Sequence, residues 1–185
     1  MNLEKEEKII QATRKKIVRR VVLFLIIVLV IGALGLWATV YLKNKDASLP
    51  GVFYPNQGRD HIDVGTHKPN YHSNPPTSGN HYPAPAEWGV YQEELPDETL
   101  IHNLEHGGIW ISYKPGISKD MKEKLESFYQ KWGSKVIVTP RAANDTDIAL
   151  AAWTYLDKFN VTDFSEERVE KFIKAYRNKG PEFVP

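Results

Sequence analysis

The chain contains no cysteine. That excludes disulfides, thiolate metal sites, redox thiol chemistry and lipid attachment through sulfur. Stability has to come from an ordinary apolar core. Methionine is scarce as well, occurring only at Met1 and Met121, so a thioether site for Cu(I) lacks ligands. Basic excess is confined to one end. Residues 1–20 carry seven basic and three acidic groups, a balance of +4, and the remainder carries 17 and 20, a balance of −3. The larger part therefore has no basic footprint for nucleic acid. Histidine is absent from the last 79 residues, because all six lie between His61 and His106. No internal repeat or low-complexity tract is present.

Charge is missing altogether from Val21 to Leu42, a run of 22 residues of which fifteen are Val, Leu, Ile or Phe. At about 1.5 Å per residue such a helix crosses a bilayer core. A buried core helix of this length and composition is the poorer reading. Seven Lys/Arg precede the run, five of them between Arg14 and Arg20, whereas only Lys43 and Lys45 follow closely. The positive-inside rule then puts the N-terminus in the cytoplasm and the rest outside. Trp37 and Tyr41 suit the outer interface. The run exceeds a usual signal-peptide core and no small-x-small cleavage site follows it, so a retained anchor is expected. The basic lead is explained by topology and anionic lipid.

Four regions follow: a basic cytoplasmic segment (1–20), a transmembrane helix (21–42), a polar extracytoplasmic connector rich in Pro and Gly (43–70), and an extracytoplasmic domain (71–185). Residues 71–85 read as a rigid irregular loop around Pro75-Pro76 and Gly79. Trp88–Tyr91 reads as a short strand. Residues 107–113 alternate, with Ile109, Ile111 and Tyr113 on one side. Ser118 caps a helix whose stripe is Met121, Leu125, Phe128 and Trp132, and Gly133 ends it. Lys135–Thr139 is a strand and Ile148–Tyr155 another. Ser165 caps a last helix with Val169, Phe172, Ile173 and Tyr176 inward. The expected class is α+β: one transmembrane helix, a long irregular His/Pro-rich segment, then a small sandwich with helices on one face of a sheet. The order overlaps five of six elements of a ferredoxin-like repeat.

The chemistry lies in His102-Asn103-Leu104-Glu105-His106-Gly107-Gly108. His102 and His106 share a face on either a helix or a strand, and Glu105 joins them only on a helix. A single helical turn before the strand is the expected geometry. With His72 or His81 from the proline-rich loop, the pair supplies three neutral nitrogens for a metal. Glu105 would be a fourth ligand or an orienting carboxylate. Without sulfur ligands the set favours Zn²⁺ or Cu²⁺. His61 and His67, in the connector, read as plain surface residues. In the structural alternative the rings only fix loops, and Glu105 caps a turn or pairs with Arg141. The letters His-x-x-Glu-His also match an inverted zinc-protease motif, but that needs a long helix continuing past the second histidine. Ser78 or Thr77 activated by His81 lacks a strand-turn-helix elbow.

Pro75-Pro76-Thr77-Ser78-Gly79-Asn80-His81, Gly89-Val90-Tyr91, the His102–Gly108 string, Pro140-Arg141 and Arg177–Glu182 together resemble a bacterial family, domain of unknown function 3105. The resemblance covers about residues 70–183. It implies bacterial origin, one N-terminal span and an outer domain, and it implies no activity. The expected protein is a single-pass bacterial membrane protein whose outer domain binds Zn or Cu through His72, His81, His102, His106 and Glu105. The alternatives are an envelope interaction module with an unknown protein partner, and a metal-assisted hydrolase. Its partner in every reading is the lipid bilayer, and no enzyme class is assigned.

Overall fold

A computed structural model describes residues 3–47, 49–66 and 70–182. It forms two compact units, residues 1–49 and 50–185. The first is one helix, α1, Leu3–Ala47. Within it Thr13–Tyr41 is long and apolar enough to cross a membrane. From Ile17 to Tyr41 its large apolar side chains are exposed on all sides, as a lipid-facing helix requires.

The second unit is α+β. Its strands are β1 (Val52–Phe53), β2 (Gly89–Val90), β3 (Ile109–Tyr113), β4 (Val136–Pro140), β5 (Ile148–Ala152) and β6 (Tyr155–Phe159). The helices are α2 (Asp97–Glu105), α3 (Lys119–Trp132) and α4 (Glu166–Tyr176). The six strands make one mixed sheet in the order β1-β6-β5-β3-β4-β2. β3 pairs with β4 in parallel and with β5 antiparallel. In a split β-α-β repeat a strand would separate the two parallel neighbours, so the sheet order departs from the ferredoxin-like expectation.

Helix caps follow the sequence. The Ser118 and Ser165 side chains accept from the amides of Met121 and Arg168, and Gly133 takes φ 64° at the end of α3. Three expectations need correction. Ile148–Tyr155 is not one strand. It turns back at Trp153-Thr154 into the β5–β6 hairpin, with Thr154 at φ 65°. That conformation is rare for a β-branched residue, so no Asn-Gly or Asp-Gly signal marked the turn. β1 lies inside the stretch read as connector and pairs with β6. The helices do not share one face. Trp110, Ile137, Ala149 and Ala151 pack under Leu100 and Leu104 of α2. Strand alternation turns Ile111, Val138 and Leu150 to the other side, where α3 and α4 meet β4 and β5. Both faces of β3, β4 and β5 are consequently buried.

α2 is nine residues long, more than the single turn expected, and it carries the central motif. It is held at both ends. At its start Arg141 makes a bidentate pair with Asp97, at 2.8 and 2.7 Å. That assignment replaces the Arg141–Glu105 pair considered from the sequence. At its end the C-terminal segment closes on it. The amide of Asn178 donates to the Gly107 carbonyl (2.8 Å) and that of Glu182 to the Glu105 carbonyl (3.1 Å). These bonds satisfy carbonyls the helix terminus would leave open.

The two backbones approach too closely for a side chain. A Cβ on Gly180 would lie 2.0 Å from the Glu105 oxygen and 2.2 Å from the Gly107 nitrogen. Gly180→Ala is therefore expected to lose about 1–3 kcal/mol or more of stability through overpacking, read as a lowered thermal midpoint by circular dichroism. Gly89→Ala, where nothing lies within 4 Å of the added carbon, serves as the comparison. Equal midpoints in the two variants would refute the clamp.

Candidate metal centre

The irregular segment before β2 places two histidines by backbone pairing. Residues 58–62 run alongside 79–81. The amides of Gly79 and His81 donate to the carbonyls of Gly58 (3.0 Å) and Asp60 (3.1 Å), and the amide of Ile62 donates to the His81 carbonyl (2.9 Å). The result is an isolated parallel bridge between His61 and His81. Gly79 permits the turn leading into it. It sits at φ 124°, and a Cβ there would lie 2.9 Å from the Tyr71 ring. α2 brings His102 to the same place.

The three rings of His61, His81 and His102 lie 5.0–5.1 Å apart, centroid to centroid. One nitrogen of each lies within 4.8 Å of the others. Three such points fit within about 2.8 Å of a common centre, against Zn–N bonds of about 2.0–2.1 Å. Closure of less than about 1 Å per ring would bring all three to one ion. His81, His102 and Glu105 are buried, whereas His61 is exposed.

Ring orientation is set by the backbone. Nδ1 of His81 lies 2.8 Å from the Gly79 carbonyl, and Nδ1 of His102 lies 2.7 Å from the Tyr82 carbonyl. A carbonyl only accepts, so each Nδ1 carries a proton, and Nε2 is the ring nitrogen left to face the centre. The buried Nε2 of His81 lies 3.0 Å from Glu105 Oε2. Although close, the pair lacks hydrogen-bond alignment, and this Nε2 has no hydrogen-bond partner. Were the His81 ring neutral, two acceptors would face each other here, at a distance spanned by two bonds of about 2.1 Å meeting near 90° at one cation.

His106 stands on the other side of His102, with the two Nε2 atoms 3.0 Å apart. Its Nε2 is also 3.7 Å from Glu182 of the C-terminal clamp. Burial lowers the pKa of His102 most, with the neighbouring histidines acting in the same direction and the Tyr82 carbonyl opposing. Burial likewise dominates the lowering at His106, aided by His102. Both rings are held towards the neutral form that a metal requires.

Of the residues singled out in the sequence, His81, His102, Glu105 and His106 come together. His72 does not join the converging nitrogens. It is exposed, and its amide donates to the Gln57 side chain at 2.6 Å. His67 lies outside the described residues. His61 takes the third position, contrary to the plain surface role expected of it. The inverted protease motif is not supported, because α2 ends at Glu105 and Gly107 turns the chain at φ 77°.

A family model described as "Protein of unknown function (DUF3105)" matches residues 63–184. No curated protein and no solved structure matches the chain.

The lowered pKa values have a definite sign. A histidine less basic folded than unfolded lets the unfolded chain take up more protons in acid. Stability in chelator-containing buffer should hold above about pH 6.5, the unfolded histidine value, and decline as pH falls through and below it. Thermal midpoints between pH 8 and pH 5 check this. The His102→Gln/His106→Gln variant should show a shallower decline, and an unchanged slope would contradict the assignment.

Proposed function

The chain belongs to the DUF3105 family of proteins of unknown function, and we propose that it is a single-pass membrane protein whose outer domain holds a transition metal. His61, His81 and His102 are the ligands in this reading, and the ion is Zn²⁺ or Cu²⁺. The observation that carries it is the buried, unpartnered Nε2 of His81 facing the buried Glu105 carboxylate at 3.0 Å. With the ring neutral, a shared metal ion relieves a confrontation of two acceptors in a dry setting that is otherwise costly.

The backbone carbonyls of Gly79 and Tyr82 already orient the two buried rings. That leaves Glu105 for direct ligation or for charge balance. His102 would exchange its Nε2 contact with His106 for the ion, and Glu182 links His106 to the C-terminal segment.

Calorimetric titration of the full-length protein in detergent tests the reading. Saturable, equimolar binding of Zn²⁺ or Cu²⁺ is expected, weakening as pH drops below about 6.5. His61→Ala removes an exposed ligand. It should weaken binding by at least about tenfold while leaving the metal-free melting temperature unchanged. Absence of saturable binding would sink the proposal. The rival reading, an interaction module with structural histidines, draws on the same Nδ1–carbonyl bonds. It requires instead that chelator leave the melting temperature untouched.

Orientation is tested separately, and the absence of native cysteine makes the experiment clean. Gln11 and Lys119 are both exposed. A membrane-impermeant maleimide should label Lys119→Cys in intact cells and Gln11→Cys only after lysis. The opposite pattern would place the domain in the cytoplasm.

A further inference from the structure

We infer that the histidine centre takes a small oxyanion, a carboxylate or a phosphate, clamped between the bound ion and Arg59. The inference rests on the metal reading above and adds the class of ligand.

Arg59 lies two residues before His61 on the extended run that pairs with 79–81. Alternation puts both side chains on the same side of that run. Nη1 of Arg59 reaches to 3.9 Å from Glu105 Oε1, with 58% of its side chain exposed against 3% for Glu105. That contact is longer than a hydrogen bond. The guanidinium is therefore drawn to the mouth of the centre by charge while its planar fork of donors remains open to solvent. A planar fork matches the paired oxygens of a carboxylate or phosphate.

Burial sets the direction of approach. His81, His102 and Glu105 are at most 4% exposed, so protein occupies the inner side of the centre. His61 and Arg59 are the exposed members, and an outside ligand has to enter between them.

Charge sets the sign of the ligand. The imidazoles bind in their neutral form. A divalent ion beside one carboxylate and one guanidinium leaves a net charge of +2, which favours an anion. A zinc or cobalt ion held by three imidazoles has at least one further position, and a fifth is accessible to it.

The test uses full-length protein in detergent, loaded with equimolar Co²⁺ as a visible probe of coordination. Acetate and phosphate are titrated in separate arms. A saturable shift of the Co²⁺ absorption bands is expected with at least one of them, and the stronger arm identifies the oxyanion. Arg59→Gln should lower that apparent affinity about tenfold, the worth of a charge-assisted hydrogen bond, while Co²⁺ binding itself stays within about twofold. Failure to bind Co²⁺ would remove the metal reading. Normal Co²⁺ binding with bands indifferent to both anions would overturn the anion inference alone. An equal response in Arg59→Gln would also overturn it.

Discussion

Two ring protons organise the centre. The Nδ1–H groups of His81 and His102 are both committed to main-chain carbonyls, those of Gly79 and Tyr82. A buried imidazole with one nitrogen fixed in this way can present only its other nitrogen, and only in one direction. The convergence of the ring nitrogens and the confrontation of His81 with Glu105 follow from those commitments, whereas the low basicity of His102 comes from burial, against the pull of the Tyr82 carbonyl. The carbonyls are themselves held by local geometry. Gly79 needs its left-handed backbone against the Tyr71 ring, and Tyr82 donates its amide to the Glu98 carbonyl in α2. The loop and the helix thereby fix each other.

The rest of the domain serves to immobilise α2. Its apolar side lies on Trp110, whose indole N–H donates to the buried Thr139 hydroxyl at 2.9 Å. Its start is tied to Arg141, which also donates to Asn74 and Asn144. The proline-rich loop and the strand-end loop after β4 thus meet at one guanidinium. Such a satisfied buried network costs little and constrains much. A short helix whose His102 ring has to meet those of His61 and His81 needs that constraint, because a rotation of α2 would aim the ring elsewhere.

Much of this was legible in the residues. The apolar run of α1, the caps at Ser118 and Ser165, the stripe of α4 and the alternation of β3 are local signals with local causes. The region of the histidine centre was legible as well, because His81, His102, Glu105 and His106 stand in two short motifs. The third ring was not. His61 reaches the centre through a parallel pairing of two short stretches some twenty residues apart, and main-chain pairing leaves no side-chain signature. The β5–β6 turn escaped for a related reason: Thr154 adopts its left-handed conformation under the demands of the sheet, against its own preference. Distribution of helices over both faces depended on tertiary packing, which periodicity within each helix does not encode.

The bond from the Glu182 amide to the Glu105 carbonyl joins α2 to a segment far later in the sequence. A ribosome makes the protein from the N-terminus onward, so α2 emerges long before the strand of chain that completes its end. During synthesis the helix carrying His102 has an unfinished terminus, and Gly107 lacks the backbone of Asn178 and Gly180 against which it packs. The end of α2 is therefore completed only after residues 178–182 have been made. A nascent chain stalled short of Gly180 would hold its histidines in sequence without holding them in place.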